Sequence, residues 1–496
     1  MNKFKPVFYL FLAILLITAP HTFAQESKPA TISQLNDSLI ARFNRADFKG
    51  MYAYESTDLA KKDPEAGFVS YFKQLLSDNG KIKSSKLLSE KDNHHFFEWL
   101  GEKKNERIEI LASTSAVMDD YFLSDFIEQP DARTGALKTD DPLKTRQDSA
   151  VQKAASIYLS DPNSAGLSIG IYDNGKTYTY DFGEVKKGSN ILPTPDNEYN
   201  IGSVAKTFVA TMLAEAVIEG KVKLDDDIRK FLPGKYPNLE YQGHPIRLVN
   251  LSNHTSGLPT SPIVIPPKLM DSLMKLPDSM RFTILVAHFK NFNADSLLKN
   301  MHGFKVDTIP GTKYAYNGNA MGVLILLLER IYHQSYEQLL THYLRTHLDM
   351  YHTSSEFTAP GLGKFPQGYN AHGMPMPIII ASQFITAPSV NSTVHDMLKY
   401  IRANLAEKDP AIKLTHQVTY DDGKGNVLGL NWMMGKDDDD GTPNTYHLGQ
   451  TGTGFTTLCV FYPSKQKGYI IFVNDTISQG RLFDLLHRIQ QEQGEK

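Results

Sequence analysis

Strand-like segments lie at both ends of one long stretch of this chain, and this arrangement restricts the fold more than any other feature. The first two are joined by Asn174-Gly175, and Asn-Gly between apolar runs is a strong signal for a β-hairpin. Three more lie near the C-terminus, so the two groups are separated by more than two hundred residues. The strand-like runs are 166–172, 177–182, 427–434, 455–462 and 468–474.

The sequence between these runs is mostly helical in its apolar spacing, over about 200–405, and an amphipathic helix with Leu482, Leu485 and Ile489 closes the chain. Strands contributed by both ends of a domain, with helices between them, imply one antiparallel sheet with a helical insertion. The sequence therefore predicts an α+β fold for residues 150–496.

A second, smaller unit precedes this domain. Helical spacing over 30–57 and 66–76 is followed by four short strand-like segments separated by turn residues, which predicts a small α+β domain over 25–127. In element order it resembles the cone-like folds of the nuclear transport factor 2 superfamily. The polar residues 128–149, which include proline and glycine, predict a linker.

The first residues have the pattern of an export signal. Lys3 and Lys5 precede an apolar run over 7–17, and Thr22-Phe23-Ala24 offers a small-residue cleavage site, so residues 1–24 are predicted to be removed. The alternative is a membrane anchor, but the run is shorter than the roughly 20 residues that span a bilayer. We expect an exported protein, periplasmic or extracellular, with no transmembrane segment in its mature form.

Charge and cysteine content exclude several functions. The formal net charge of −3 provides no basic field for nucleic acid, so a small-molecule, peptide or cell-wall-derived substrate is expected. Cys459 is the only cysteine and lies in an apolar run, which favours a buried residue over a nucleophile.

The acidic run 436–441 lacks the spaced ligands of a calcium loop, and His94, His95 and His352 lack zinc-ligand spacing. No metal or organic cofactor is expected.

The candidate nucleophile is Ser203, with Lys206 three residues later. On a helix these side chains share a face, and a lysine kept neutral by low dielectric can take the serine proton. The spacing itself is common, but only Ser203 follows a strand-like segment and precedes a long apolar helix, a setting that presents a hydroxyl at a helix N-terminus. The same spacing occurs at Ser70, Ser272, Ser296 and Ser464.

Two further segments carry candidate site residues. Tyr316, followed by Asn317 and Gly318, can act as a general base or relay if nearby cations lower its pKa; the alternative is a half-buried tyrosine that caps the next helix. In His447-Leu448-Gly449-Gln450, Gly449 lets a substrate backbone approach, and the amide of Gln450 can complete an oxyanion hole with that of Ser203. His447 can donate to the substrate or tune the tyrosine.

Taken in order, these three elements resemble the serine hydrolases that include class C β-lactamases, D-alanyl-D-alanine carboxypeptidases and related esterases. The resemblance covers about 150–490 and implies a β-lactamase/transpeptidase-like fold, with an antiparallel sheet, flanking helices and a helical subdomain. It further implies that Ser203 is acylated, that Lys206 and Tyr316 manage protons, and that a water deacylates the enzyme. The supporting segments are 220–227, Leu232-Pro233, 251–259 and 391–396. The segment at His254 is interpreted as a structural loop and left out of the site.

The sequence departs from this family at two positions. Gly318 stands where the family usually has an Asn that helps to hold the lysine and the substrate amide, so either Asn317 or Asn319 replaces it through a local shift or that contact is missing. His447 stands where β-lactamases carry Lys, and a neutral imidazole attracts a carboxylate less than an ammonium does. The departures favour an esterase, amidase or D-amino-acid peptidase. A binding or sensor protein that has lost turnover, and a main function in residues 30–125, are the alternatives.

Overall fold

The computed structural model describes residues 29–493, apart from 63, 92, 104, 115–116, 126–136, 264, 266, 275, 277, 356–364, 379–381, 386–387, 438–439 and 477. The predicted export signal and the first part of the predicted linker lie outside these residues. No helix in the described part of the chain is long and apolar enough to cross a membrane.

The N-terminal unit consists of four helices followed by a four-stranded antiparallel meander in the order β1-β2-β3-β4. Its core packs the aromatic rings of Phe43 and Phe72 from the helices against Trp99 from the sheet, all of them buried. The elements are α1 (Ile32–Asn44), α2 (Phe48–Tyr52), α3 (Thr57–Lys62), α4 (Glu65–Asn79), β1 (Ile82–Lys91), β2 (His94–Gly101), β3 (Glu106–Leu111) and β4 (Asp120–Asp125). The helix-plus-meander order predicted from sequence is confirmed, whereas the likeness to nuclear transport factor 2 stays a prediction.

The larger unit is built on an eight-stranded antiparallel sheet that joins strands from both of its ends, as predicted. It starts with a helix whose N-terminus is closed by a capping box of Thr145 and Asp148. The elements before the helical middle are α5 (Arg146–Tyr158), β5 (Gly166–Asp173), β6 (Lys176–Gly183) and β7 (Tyr199–Asn200). Helix α5 begins inside the predicted linker range, and the division of the chain into domains stays a prediction.

The helical middle packs on one face of this sheet. Its elements are α6 (Ala205–Ile218), β8 (Glu240–Tyr241), β9 (His244–Pro245), α7 (Leu248–Ser252), α8 (Pro267–Leu273), α9 (Asp278–His288), α10 (Ala294–Met301), α11 (Gly318–Tyr332), α12 (Tyr336–His347), β10 (Asn391–Ser392), α13 (Val394–Ala406) and α14 (Pro410–Thr415). Helices α6 and α11 are buried along almost their entire lengths, because they form the centre of the largest hydrophobic core.

The remaining elements complete the sheet, in the order β11-β12-β13-β14-β15-β16-β5-β6. They are β11 (Tyr420–Asp421), β12 (Val427–Leu428), β13 (Met433–Lys436), β14 (Pro443–Gln450), β15 (Thr456–Tyr462), β16 (Lys467–Val473) and α15 (Gly480–Gln493). The single strand predicted at 427–434 is wrong, since the chain turns at Asn431, which has a φ of +57°. Strand β14 was not predicted, because its polar residues and glycine hide the alternation of buried and less buried side chains.

Strand β15 shows how the sheet separates two cores. Cys459 and Phe461 belong to the core shared with the helical middle, whereas Leu458 and Val460 face the core formed with α5 and α15. The prediction that Cys459 is a buried apolar residue is confirmed, since it is fully buried.

A buried group of charged side chains joins the N-terminal unit to the larger one. Arg481, at the start of α15, contacts Asp161 at 2.6 Å and Glu109 of β3 at 3.1 Å. Arg107, also on β3, contacts the other oxygen of Asp161 at 2.6 Å, and His94 contacts Glu109 at 2.5 Å. We call these five residues the interdomain ion cluster, and all of them are at most 3% exposed.

Candidate active site

Ser203 lies where the chain passes from strand β7 into helix α6. A short 3-10 turn over Gly202–Val204 precedes the helix. The side chain of Asn200 accepts a hydrogen bond from the amide of Gly202 at 3.0 Å and donates to the hydroxyl of Ser389 at 2.7 Å, which fixes the path of the chain. Ser203 is half-buried, so its hydroxyl is held in place and remains accessible.

Lys206 lies one helical turn after Ser203, as predicted, and its Nζ is 2.6 Å from the Ser203 Oγ. The residue is only 2% exposed, and no carboxylate pairs with it in the part of the chain that the structure describes. Burial lowers the pKa of Lys206 to about 7, because the ammonium loses its hydration without gaining a counter-ion. A large fraction of Lys206 is therefore neutral near pH 7 and able to accept a proton.

Tyr316 lies on the other side of Lys206, with the Lys206 Nζ 5.0 Å from the centre of its ring. Although 40% of the residue is exposed, burial of the hydroxyl raises the pKa of Tyr316 above its ordinary value, and a hydrogen bond with Ser203 works in the opposite direction. The lowered pKa that a tyrosinate would require is therefore not found at Tyr316. Tyr316 is placed to act as a neutral hydroxyl that shares a proton with Ser203.

His447 points inward from strand β14 and is 1% exposed. Its Nδ1 donates to the carbonyl of Leu448 at 2.7 Å, so the other ring nitrogen, Nε2, carries a lone pair. Burial and the neighbouring charge of Lys206 lower the pKa of His447 to about 3. The expected donation from His447 to a substrate is therefore not supported, since Nε2 is an acceptor.

Two glycines bring strand β14 against the start of helix α6. A Cβ on Gly449 would overlap the carbonyl oxygen of Ile201 and lie 3.1 Å from the amide nitrogen of Ser203. Gly202 has a φ of +54°, and a Cβ there would lie 2.7 Å from the amide nitrogen of Gln450. The close approach places the amides of Ser203 and Gln450 at the same edge of the site, where two N–H groups can stabilise a developing oxyanion.

Asn317 and Asn319 are buried and serve the loop beside the site. The Asn317 side chain caps helix α11 by accepting from the amide of Ala320, and it donates to the carbonyl of Leu258 at 2.7 Å. Asn319 donates to the carbonyl of Pro259 at 2.9 Å. Neither hydrogen-bonds Lys206 among the described residues. The structure thus brings Ser203, Lys206, Tyr316, His447, Gly449 and Gln450 together and places the two asparagines behind them.

His254, which the sequence predicts to lie in a structural loop outside the site, packs directly against Tyr316. Their ring centres are 4.5 Å apart, and His254 is 2% exposed. Its position in a run of small polar residues gave no signal of this contact, because the partner lies 62 positions later in the chain. The one available sign was a histidine inside a motif otherwise rich in Ser and Thr.

A pocket of about 230 Å³ adjoins the strand end after Gln450. Helix α9 forms one wall, and the ring of Phe282 contacts Gly452, where any Cβ would overlap the ring. The walls are partly apolar; they consist of Arg281, Phe282, Leu285, Asn370, Met376, Thr451, Gly452, Gly454 and Thr476. In the described residues, no group of three or more His, Cys, Asp or Glu side chains is arranged to hold a metal ion.

Comparisons with known proteins agree on one family. The Beta-lactamase family profile matches residues 147–493. A Beta-lactamase of Pseudomonas fluorescens is 26% identical over 277 residues, which cover 54% of this chain and 69% of that protein. The D-alanyl-D-alanine-carboxypeptidase/endopeptidase AmpH of Escherichia coli (strain K12) is 25% identical over 329 residues, 62% of this chain and 79% of that protein. A Beta-lactamase/D-alanine carboxypeptidase structure from Yersinia pestis, 23% identical, superposes with a TM-score of 0.60 over 71% of this chain and 99% of the other.

Proposed function

This chain belongs to the Beta-lactamase family and is a serine hydrolase, and from that premise we propose that it cleaves an ester or amide outside the cytoplasm through an acyl-enzyme on Ser203. The observation that carries the proposal is the 2.6 Å contact between the Ser203 Oγ and a buried Lys206 whose pKa is lowered to about 7. A neutral amine at hydrogen-bond distance from a hydroxyl is the arrangement that activates a serine nucleophile.

The proposed reaction has two halves. Neutral Lys206 takes the Ser203 proton as Oγ attacks the carbonyl carbon, and the amides of Ser203 and Gln450 bind the resulting oxyanion. The C–O or C–N bond then breaks, and the leaving group takes a proton from Lys206 through the Tyr316 hydroxyl. In the second half a water gives its proton to Lys206 along the same route and attacks the ester carbonyl. The bond from the acyl carbon to the Ser203 Oγ then breaks, Oγ takes the proton back from Lys206, and the acid is released.

Two features bear on the substrate. His447 is neutral, so β14 presents no positive charge to a substrate carboxylate at this position. The pocket beside Gln450 offers Phe282, Leu285 and Met376 to an apolar group. Both features favour a neutral ester or amide with an apolar substituent over a β-lactam, although the named relatives are a Beta-lactamase and a carboxypeptidase/endopeptidase.

A fluorophosphonate probe tests the nucleophile. We expect it to label the full chain at one residue, to be mapped to Ser203 by mass spectrometry, and to leave Ser203→Ala unlabelled. Ser296→Ala is a matched control, since Ser296 has the same spacing to a lysine but lies in the first turn of helix α10, where its amide and hydroxyl donate to the N-cap residue Asn293. Folded protein that neither takes the label nor hydrolyses p-nitrophenyl esters would contradict the proposal and favour a binding or sensor protein.

The pH dependence of kcat/KM tests the role of Lys206. Because the free base is the reactive form and burial lowers the Lys206 pKa to about 7, kcat/KM for a neutral ester should rise with pH through an apparent pKa near 7 and then level off. The measurement is initial rates from pH 5 to 9 at constant ionic strength. A profile that falls across this range would rule out Lys206 as the base.

A further inference from the structure

Tyr316 is held on both sides by a single residue. The amide of Ala315, just before Tyr316, donates to the backbone carbonyl of His254 at 2.9 Å. The amide of Asn317, just after it, donates to the Nδ1 of the His254 ring at 3.2 Å. His254 therefore accepts one hydrogen bond from each neighbour of Tyr316, and its ring lies against the Tyr316 ring between them.

The backbone of His254 is arranged to make this double contact. His254 directly follows Asn253, the C-cap residue of helix α7. Its backbone φ is +59°, which is uncommon for a residue other than glycine. Its loop also accepts a hydrogen bond from an earlier residue of the segment that leads to Tyr316, since the amide of Gly311 donates to the carbonyl of Thr255 at 2.8 Å. The segment that carries Tyr316 is thus anchored at several points on one loop.

The hydrogen bond to Nδ1 requires a neutral imidazole with its proton on Nε2. Burial lowers the pKa of His254 well below its ordinary value, with the charges of Lys206 and His447 adding to the effect. The other titratable groups that face the ring are Tyr316 and Tyr314, and Asn431 lies near its Nε2. No carboxylate faces it among the described residues to draw a second proton onto the ring.

From these contacts we infer that His254 is a positioning residue, which fixes the Tyr316 hydroxyl beside Ser203 and Lys206 by holding both of its backbone neighbours. The inference rests on the proposed function, and it adds a residue that touches neither substrate nor nucleophile. Its side-chain Nδ1 and its ring face make separable contributions, because one binds the Asn317 amide and the other supports the Tyr316 ring.

A double-mutant cycle tests whether His254 acts through Tyr316. The quantity is the second-order rate constant for labelling of Ser203 by the fluorophosphonate. We expect His254→Phe, which keeps a ring but leaves the Asn317 amide unpaired, to slow labelling by about 10- to 100-fold. In a Tyr316→Phe background the same substitution should cost less than about 2-fold, because the group that it positions is already absent. Equal costs in the two backgrounds would overturn the inference.

His254→Asn provides the conservative rescue. Asn tolerates positive φ, and its Oδ1 can accept the hydrogen bond of the Asn317 amide in place of Nδ1. Labelling by this variant should lie within about 10-fold of the parent rate and above that of His254→Phe. If His254→Phe does not fold, the cycle is run with His254→Asn. The cost of that substitution in the parent is then compared with its cost in the Tyr316→Phe protein, and equal costs overturn the inference. A parent protein that takes no label refutes the proposed function, whereas a labelled parent with additive costs refutes only the positioning role.

Discussion

Replacing Lys206 with Met lowers kcat/KM by about 10³-fold or more and leaves the folded protein at least as stable as the parent. The loss of activity is expected because Ser203 would lose the amine that lies 2.6 Å from its hydroxyl. The gain in stability is expected because Met fills a similar volume without burying an amine that has no carboxylate partner among the described residues, in a site that is 2% exposed. The measurements are ester hydrolysis and urea unfolding on the same preparations.

The stability difference between the two proteins should itself depend on pH. In the unfolded chain Lys206 keeps its proton up to about pH 10.4, whereas in the folded protein its pKa is lowered to about 7. Between these values the unfolded state binds more protons, so Lys206 makes parent stability rise with pH, by up to about 1.4 kcal/mol per unit. Lys206→Met lacks this contribution. The amount by which its free energy of unfolding exceeds that of the parent is therefore largest at pH 7 and below and becomes smaller toward pH 9.

Lys299→Met is the matched control, since Lys299 also follows a serine by three residues but lies exposed on helix α10. It should change neither the rate nor the pH dependence of unfolding. A Lys206→Met protein that keeps its activity would contradict the assignment of the base. A Lys206→Met protein that is less stable than the parent at pH 7 would contradict the conclusion that Lys206 is buried without a carboxylate partner.

The sequence pointed to Ser203 as the proposed nucleophile because local order along the chain distinguished it from other serines at the same spacing. The Ser296 hydroxyl donates to Asn293, the N-cap of its own helix, and the Ser272 hydroxyl bonds back to the carbonyl of Lys268 on its own helix. Such roles follow from neighbours within a few residues. Ser203 likewise depends on a strand before it and an apolar helix after it, and both are visible in the sequence.

Other parts of the site depend on contacts that no local pattern carries. Asn317 and Asn319 were predicted at the substrate, yet their side chains turn to the carbonyls of Leu258 and Pro259, about sixty positions away. The same long-range loop brings His254 to Tyr316. Strand β14 was missed because its buried positions include His447 and Gly449, which local patterns associate with turns and sites rather than with strands. In each case a tertiary contact outweighs the local preference.

The interdomain ion cluster was equally out of reach, because its members come from four separate parts of the chain. Arg481 lies in the first turn of α15, where the helix dipole disfavours a cation, so its position needs the nearby carboxylates of Asp161 and Glu109. The guanidinium also lies over the ring of Tyr158 at 4.5 Å and donates to that residue's backbone carbonyl. Arg481 is therefore the centre of the contact between the two units.

Arg481→Met should destabilise the protein by about 3–5 kcal/mol, because it leaves the buried carboxylates of Asp161 and Glu109 with fewer cationic partners. The chain's two tryptophans report on the two units separately: Trp99 is buried in the N-terminal core and Trp432 in the core of the larger unit. Urea unfolding followed in Trp99→Phe and Trp432→Phe backgrounds should give coincident transitions with Arg481 present and separated transitions in Arg481→Met.

Arg146→Met is the control for loss of an arginine near α15, since Arg146 is exposed and donates to the backbone carbonyl of Glu492. Its effect should stay within about 0.5 kcal/mol. Neutralising Glu109 as well, in Arg481→Met with Glu109→Gln, should recover part of the loss, because Asp161 keeps Arg107 as its cationic partner and the cost arises from uncompensated buried charge rather than from lost packing. Transitions that remain coincident in Arg481→Met, at unchanged urea concentrations, would show that the two units are held together by their apolar contacts alone.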